Sequence, residues 1–373
     1  MAGIYIHIPF CKQACHYCDF HFSTTFKSYR EQLIQSIAQE LINRAGIEDV
    51  ETIYFGGGTP SLLTANEIEF LLETIRNHYQ LSTDCEVTLE GNPDDLTTDY
   101  LNDLKRLGVH RLSIGIQAFQ DDLLRLMNRA HNVTEALSCV QNAHNIGFQS
   151  VNVDLIYGIP GLTLEQWQDN LNRILELPIQ HVSCYHLTIE PNTVFNQWQK
   201  KGKLQESDDE HSLTQFKMLR QTLLNGGFDH YEVSNFCRPG FPSKHNSSYW
   251  QGKNYIGIGP SAHSYENGVR RWNVSNNTAY IKGIQEETSY FETETLSDKD
   301  RFNELIMIKL RLLNQGVSLT DIQLIGSAFE SHFLKQIESF VNAGQIEKAN
   351  QSYRLTESGI FISDYILGEL FYV

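Results

Sequence analysis

Two hydrophobic patterns alternate along the first half of the chain. Short runs rich in isoleucine, valine and aromatic residues predict six strands, at residues 3–8, 51–55, 85–90, 111–116, 150–156 and 181–189. Between them, apolar residues three and four positions apart predict helices, for example at residues 29–42, 65–79 and 165–177. This alternation is typical of parallel strands joined by helices. Because six units are fewer than the eight of a closed barrel, we predict an α/β fold with a partial (β/α)6 barrel.

The pattern changes near residue 295. Residues 296–317 and 334–359 combine helical periodicity with a short hairpin, GQIEKANQSYRLTESG, which resembles the wing of a winged helix. Acidic and basic residues are mixed on this hairpin, so it does not indicate a DNA-binding face. We therefore predict a barrel region at residues 1–290, with an extension at about 229–290. A small C-terminal helical, winged-helix-like domain follows at residues 291–373.

Composition narrows the class of protein. The chain has 373 residues, of which 41% are hydrophobic, and a formal net charge of −16. The acidic excess argues against nucleic acid as a partner, because phosphate binding needs concentrated lysine and arginine. No apolar run is long enough to cross a bilayer, and the first residues lack the pattern of a secretory signal. We expect a cytoplasmic protein.

Polar residues stand where several predicted strands end. Glu90, Gln117 and Glu190 each close a strand pattern, and Asp154 interrupts one near its end. Each alone would be a cap or a turn residue. In barrels of this kind the reacting groups gather at the carboxyl ends of the strands, so four such residues together favour a site at that end.

Three of the seven cysteines lie close together in FCKQACHYCDF. The C-x3-C-x2-C spacing lets Cys11, Cys15 and Cys18 converge from one loop on a metal centre. Zinc requires a fourth ligand, whereas an iron–sulfur cluster held by three cysteines leaves one iron open. Surface thiols without metal are the third alternative. The candidates for a fourth zinc ligand are His7, His16 and His21.

A second motif, YFGGGTPS, places three glycines directly after a predicted strand. Glycines there let the backbone approach a ligand closely and offer it bare N–H groups. A permissive turn would explain the same residues. Together with the cysteine loop, the glycines suggest a ligand lying across the mouth of the barrel.

Six motifs in order resemble the radical S-adenosylmethionine (SAM) superfamily. They are CKQACHYC, GGGTP, LEGNPD, SIGIQ, NRAH and DLIYGIPG. Within it, the chain is similar to the branch that contains oxygen-independent coproporphyrinogen III oxidases and the HemW heme chaperones. The resemblance extends from about Tyr5 to His263. It implies a radical SAM barrel that binds a [4Fe-4S] cluster and SAM.

The resemblance implies a role for each matching residue. The cluster would be held by Cys11, Cys15 and Cys18, with one iron left for SAM. Carboxylates suit the amino group or ribose hydroxyls of SAM, and an arginine suits its carboxylate. The residues that would contact SAM are Tyr5, Tyr17, Gly57, Gly58, Thr59, Glu90, Gln117, Arg129 and Asp154.

Two departures separate the chaperones from the oxidases. The oxidases carry a further cysteine two positions after the third, where this chain has Phe20. They also begin with a segment ahead of the first barrel strand, and here the strand pattern starts almost at once. Both departures favour the chaperones.

The motif HNSSYW at residues 245–250 is similar to the hallmark of the HemW group. An imidazole can bind heme iron, and aromatic rings offer flat faces to a porphyrin. The alternative is a hydrogen-bonded loop over an aromatic core. The implied heme residues are His245, Asn246, Tyr249 and Trp250, with His263 as a weaker second candidate.

The resemblance therefore implies a heme chaperone that binds a [4Fe-4S] cluster, SAM and heme and passes heme to an acceptor protein. Residues 229–290 would then contribute to the heme site. An oxygen-independent coproporphyrinogen III oxidase is the alternative, and a zinc-stabilised binding module is a third. The sequence does not decide whether SAM is cleaved. We expect heme and a heme-accepting protein as partners, and we leave a homodimer and peripheral membrane contact open.

Overall fold

The computed structural model describes residues 2–46 and 49–373. Six strands lie side by side in sequence order and pair in parallel. They are β1 (Ala2–Ile8), β2 (Val50–Gly57), β3 (Leu81–Gly91), β4 (Arg111–Gln117), β5 (Ser150–Tyr157) and β6 (His181–His186). The predicted alternation and the parallel pairing are confirmed. β4 is buried at all seven positions. This is expected for a strand inside a parallel sheet, because helices cover both faces of such a sheet.

Helices connect successive strands. They are α1 (Arg30–Asn43), α2 (Ala65–His78), α3 (Thr98–Leu107), α4 (Asp121–Leu126), α5 (Val133–Ile146) and α6 (Leu164–Glu176). Local sequence signals start several of them: Thr64 and Glu67 form a capping box at α2, and Asn132 and Glu135 form one at α5. Glycines in the left-handed conformation, at 108 and 147, end α3 and α5.

Further strands extend the sheet at both edges, which the sequence patterns did not predict. After α7 (Val194–Lys200) and α8 (Asp209–Asn225), the hairpin β7 (Asp229–Glu232) and β8 (Asn235–Cys237) pairs antiparallel with β6. At the other edge, following α9 (Lys244–Trp250), β9 pairs in parallel with β1. The strands of this edge are β9 (Tyr255–Ile258), β10 (His263–Glu266), β11 (Val269–Asn273) and β12 (Phe291–Thr295), with α10 (Asn277–Gln285) before β12. The sheet has 12 strands and runs from β12 to β7.

The C-terminal part is a small helical unit with a three-stranded sheet. It contains α11 (Asp298–Arg311), β13 (Val317–Ser318), α12 (Leu319–Ile325), α13 (Ser327–Asn342), β14 (Ile346–Ala349), β15 (Ser352–Leu355), α14 (Glu357–Ile360) and α15 (Ser363–Leu370). The antiparallel pairing of β14 with β15 confirms the predicted hairpin. The division of the chain at residue 290 stays a prediction. Among the described helices, none is both long enough and apolar enough to cross a membrane.

Candidate functional site

A cavity of about 520 Å³ lies at the carboxyl ends of β2 to β6. We call it the cysteine cavity, because Cys11, Cys15 and Cys18 form part of its wall. It brings together all but one of the residues that the sequence assigned to the cluster and to SAM. Besides the cysteines, these are Tyr17, Gly57, Gly58, Thr59, Glu90, Gln117, Arg129 and Asp154. The exception is Tyr5, which faces a second cavity.

The cysteine loop connects β1 to α1 and is held from behind by the turn after α4. The side chain of Asn128 donates to the carbonyl of Ala14 at 2.7 Å, and the side chain of Gln13 donates to the carbonyl of Asn128 at 2.8 Å. The backbone N–H of His16 donates to the carbonyl of Met127 at 3.1 Å. The loop therefore does not depend on a bound metal alone for its position.

The cysteines themselves suit a metal that replaces their protons. Burial raises the pKa of Cys11 to about 11, although the hydroxyl of Thr59, 3.4 Å from its sulfur, opposes the rise. Burial likewise raises the pKa of Cys18 to about 11. Such thiols stay protonated near pH 7 until a metal's positive charge favours the thiolate.

Each histidine proposed as a fourth zinc ligand uses at least one ring nitrogen in a hydrogen bond within the protein. The ring nitrogens of His7 lie 3.1 Å from the hydroxyl of Tyr5 and 3.1 Å from the carbonyl of His21. His16 bonds the carbonyl of Leu126 through Nδ1 at 2.8 Å. Across residues 2–46 and 49–373, no group of three or more histidine, cysteine, aspartate or glutamate side chains is arranged to hold a single metal ion.

Glu90 and Asp154 place two acidic groups in the cavity wall. Burial raises the pKa of Glu90 to about 7, opposed by the hydroxyl of Tyr54, which donates to the carboxylate at 2.7 Å; the charge of Asp154 adds to the rise. Burial also raises the pKa of Asp154 to about 6, against hydrogen bonds from Asn152, Ser183 and Ser113. Both carboxyls would be stabilised in the ionised form by a cationic ligand.

Arg129 supplies the positive charge. Its side chain is half-buried. Its Nη2 donates to Asn92 Oδ1 at 2.5 Å and to the carbonyl of Gly115 at 2.8 Å, while Nη1 donates to Cys15 Sγ at 3.3 Å. Its Nε is buried without a hydrogen-bond partner among the described residues. A buried donor without a partner fits an anionic group, such as the carboxylate of an amino acid.

The glycine turn after β2 also has a reason in the packing of the protein, while its contact with a ligand stays a prediction. The N–H of Gly57 donates to Glu90 at 3.2 Å, and that of Gly58 donates to the carbonyl of Ile8 at 2.9 Å. Gly57 has a φ of +108°, and a Cβ there would lie 2.6 Å from the ring of His7. Glycine is therefore required by the close approach of β1, and both N–H groups already have partners within the protein.

Gln117 reaches the cavity through an irregularity at the end of β4. Its φ is +71°, and the pairing of β4 with β5 shifts register between Gly115 and Gln117. A bulge of this kind redirects the side chain at the end of a strand. Glu190, the fourth polar strand end, lies beyond the end of β6 and is not part of the wall.

A second cavity, of about 900 Å³, lies between β1, β10 and β11 of the sheet and helices α9, α11 and α12. We call it the aromatic cavity, because Tyr5, Tyr249, Trp250, Tyr255 and Tyr265 line it. Phe20, 69% exposed, borders both this cavity and the cysteine cavity. The two cavities thus adjoin at the residue that stands in place of the further cysteine.

The four residues of HNSSYW that were assigned to heme have separate positions. Tyr249 and Trp250 line the aromatic cavity. His245 is 2% exposed and bonds Thr52 through Nδ1 at 2.8 Å and Tyr249 through Nε2 at 2.7 Å. Asn246 lines a small polar cavity of about 50 Å³ inside the barrel, together with Glu90 and Asp154.

Sequence reasoning missed several groups of the cysteine cavity. Asn92 lies two positions after Glu90, and Ser113 lies four positions before Gln117. Tyr185 lies on β6. Asn92 stands inside the motif LEGNPD, which was the available signal. Nothing in the local pattern marks Ser113, because its neighbours on β4 are all buried.

Comparison with known proteins identifies the family of the chain. Residues 5–174 match the radical SAM superfamily, and residues 296–362 match the HemN C-terminal domain. The fold and the site thus define a radical SAM protein. The chain is 34% identical over 374 residues to the heme chaperone HemW of Bacillus subtilis, covering 99% of this chain and 98% of that one. It is 33% identical over 378 residues to the heme chaperone HemW of Escherichia coli, covering 99% and 97%.

The chain belongs to the radical SAM superfamily and, within it, to the family of these HemW proteins. Among solved structures, coproporphyrinogen III oxidase (HemN) from Escherichia coli, a radical SAM enzyme, superposes with a TM-score of 0.85 at 24% identity. The match covers 99% of this chain and 89% of that one. At this identity the likeness concerns the fold.

Proposed function

We propose that the chain is a heme chaperone that holds a [4Fe-4S] cluster and SAM in the cysteine cavity and carries heme in the aromatic cavity. The observation that carries this proposal is the pair of adjoining cavities, one lined by three cysteines and charged groups and the other by aromatic rings. The names of the relatives support the same function.

Within the cysteine cavity, Cys11, Cys15 and Cys18 would hold the cluster, which supplies an iron with an open position. Arg129 would bind the carboxylate of SAM, since its Nε is buried and unpartnered among the described residues. Glu90 and Asp154 would face the cationic parts of SAM, because their burial favours a positively charged partner.

The aromatic cavity would take heme against Tyr249 and Trp250 as flat apolar faces. Its volume of about 900 Å³ lies within the range of ligand pockets, which is roughly 300–1,000 Å³. His245 and Asn246 would act behind this wall, where His245 holds the hydroxyl of Tyr249 in place. Delivery to an acceptor protein, in the cytoplasm, completes the proposal.

One sample tests the proposal. The protein is reconstituted anaerobically with iron and sulfide, titrated with heme, and then assayed for SAM cleavage and for turnover of coproporphyrinogen III. We expect iron and sulfide near the content of one cluster, saturable heme uptake, little porphyrinogen turnover, and transfer of heme to an excess of apomyoglobin as a probe acceptor.

The other results would each overturn a part of the proposal. Turnover of coproporphyrinogen III without stable heme binding would make the protein an oxidase. Zinc in place of iron after anaerobic purification would make it a zinc-stabilised binding module. If bound heme reaches apomyoglobin no faster than heme that has been released into solution, the protein is not a heme chaperone.

A further inference from the structure

A chain of hydrogen bonds runs through the interior of the barrel and ends at Asp154. It starts at His181, the first residue of β6, which is fully buried and lies at the end of the strand opposite to the cysteine cavity. Nδ1 of His181 lies 2.6 Å from Asn152 Oδ1, and the side-chain nitrogen of Asn152 donates to Asp154 Oδ1 at 2.6 Å. Resting on the function proposed above, we propose that His181 is a positioning residue, which acts through Asn152 to keep Asp154 ionised for SAM.

The direction of each hydrogen bond follows from its partners. An ionised Asp154 only accepts, so the amide of Asn152 points its nitrogen at Asp154 and its oxygen at His181. His181 therefore carries its proton on Nδ1, and its unprotonated Nε2 accepts from the hydroxyl of Tyr231 at 2.8 Å. That hydroxyl itself accepts from the N–H of Ser243 at 3.4 Å, which leaves its own proton for the histidine. The tautomer of His181 is thus fixed by Tyr231.

Asn152 depends on this donor for its orientation. Its nitrogen also donates to Ser113 Oγ at 2.7 Å, and its oxygen also accepts from Ser183 Oγ at 3.2 Å. A serine hydroxyl can donate as well as accept, so both serines would serve an amide that is turned around. His181, with its proton on Nδ1, can only donate at this point. It therefore excludes the orientation in which the oxygen of Asn152 would face the carboxylate.

The surroundings of Asp154 make this hydrogen bond important for its charge. Burial raises the pKa of Asp154 to about 6, and the hydrogen bond from Asn152 and the charge of Arg111 oppose the rise. His181 itself is neutral at pH 7, because burial and, second, the charge of Arg111 lower its pKa well below 6.5. A carboxyl near its pKa is sensitive to every donor that it gains or loses. The titratable and charged groups that face Asp154 come from four strands: Tyr54 on β2, Glu90 on β3, Arg111 on β4, and Cys184 and Tyr185 on β6.

Two variants of His181 separate its two hydrogen bonds. In His181→Asn the amide nitrogen takes the place of Nδ1, so the donor to Asn152 is kept and the contact with Tyr231 is lost. In His181→Gln the amide lies at the place of Nε2, so the contact with Tyr231 is kept and the donor to Asn152 is lost. Both variants replace a buried neutral ring by a neutral amide. His144→Gln, at an exposed position on α5, is the control.

Calorimetric titration with SAM at pH values from 5.5 to 8 measures the effect on the anaerobically reconstituted proteins. A hydrogen bond to a charged group contributes about as much as one unit of pKa, so His181→Gln should raise the pKa of Asp154 by about one unit. Because the ionised carboxylate is the form that attracts a cation, this variant should bind SAM about tenfold more weakly than the wild type at pH 5.5 and almost equally at pH 8. His181→Asn and His144→Gln should follow the wild type at every pH.

Urea unfolding of the cluster-free proteins gives a second readout that needs no cofactor. A carboxyl whose pKa is higher in the folded protein than in the unfolded chain lowers the stability as pH rises towards the folded-state pKa. The free energy of unfolding of His181→Gln should therefore fall further than that of His181→Asn between pH 5.5 and 8.

The possible results separate this inference from the proposed function. If both variants of His181 weaken SAM binding by the same factor at every pH, the histidine has only a structural role and the inference fails. It also fails if His181→Gln matches the wild type. If the wild-type protein with its cluster binds no SAM, the proposed function fails, and the unfolding series decides whether His181 acts on Asp154. If neither variant folds, Tyr231→Phe removes the donor to Nε2 and keeps the ring; an unchanged pH profile of SAM binding in that variant would overturn the inference.

Discussion

Replacing Glu90 by glutamine tests the electrostatics of the cysteine cavity without any cofactor. The carboxyl of Glu90 accepts from the hydroxyl of Tyr54 at 2.7 Å and from the N–H of Gly57 at 3.2 Å. Its pKa rises from 4.5 to about 7, chiefly because burial removes water from the charged form. The folded protein therefore holds this proton more tightly than the unfolded chain does, so stability falls as pH rises from 4.5 towards 7 and is level above that range.

The pKa values give the size of the effect. The difference between 4.5 and about 7, at about 1.4 kcal/mol for each pH unit, corresponds to about 3.4 kcal/mol of lost stability above pH 8. About 1.4 kcal/mol of this loss is already present at pH 5.5. Glutamine cannot ionise and has nearly the same shape. The stability advantage of Glu90→Gln over the wild type should therefore grow by about 2 kcal/mol between pH 5.5 and 8.5.

Urea unfolding of the cluster-free protein at a series of pH values measures this advantage. Glu73→Gln, an exposed position on α2, is the matched control and should show no such trend. If the difference in unfolding free energy between Glu90→Gln and the wild type stays constant across this pH range, Glu90 does not have the raised pKa described above. A wild type that becomes the more stable protein at pH 8.5 would reverse the sign and refute the reasoning.

Three further predictions concern the cavities. Alanine at Cys11, Cys15 or Cys18 should each abolish bound iron and sulfide after reconstitution, while Cys184→Ala should keep both; equal loss from all four would contradict the assignment of the loop. Arg129→Lys should weaken SAM binding about tenfold in calorimetric titration while the cluster is kept, because lysine lacks the planar fork that bonds Asn92 and Gly115. Phe20→Ala should leave the unfolding midpoint unchanged, since the ring is 69% exposed, yet weaken heme binding several-fold; a destabilised protein with unchanged heme affinity would refute its place at the junction of the two cavities.

The fold was largely predictable because its signals are local and repeated. Each of β1 to β6 contains a short apolar run, and several of the helices between them begin at capping residues that the sequence displays. The strands at the sheet edges were not predictable in the same way. β9 is only four residues long and gains its partner, β1, from the opposite end of the barrel region, so its neighbour in the sheet is set by tertiary packing.

The residues that line the candidate site could be predicted from the sequence, whereas the hydrogen bonds between them could not. The polar strand ends and the motifs predicted a common site for four residues, which line one cavity in the structure: Glu90, Gln117, Arg129 and Asp154. They did not reveal that the N–H groups of the glycine turn are already bonded, since those partners, Glu90 and the carbonyl of Ile8, lie on adjacent strands. They also assigned Tyr5 to SAM; Tyr5 lines the aromatic cavity, and its contact with SAM stays a prediction.

The position of His245 bears on how any loss of heme binding in a variant should be interpreted. Its ring joins Thr52 of β2 to Tyr249 of α9 and stacks on Tyr54 at 4.8 Å, so it braces the wall that Tyr249 presents to the aromatic cavity. Removing the ring leaves two hydroxyls without their partner, a cost of about 1–3 kcal/mol for each buried group. His245→Ala is therefore expected to weaken heme binding whether or not the ring touches iron. Only a variant whose lost ligand can be replaced by free imidazole identifies the residue that binds the metal.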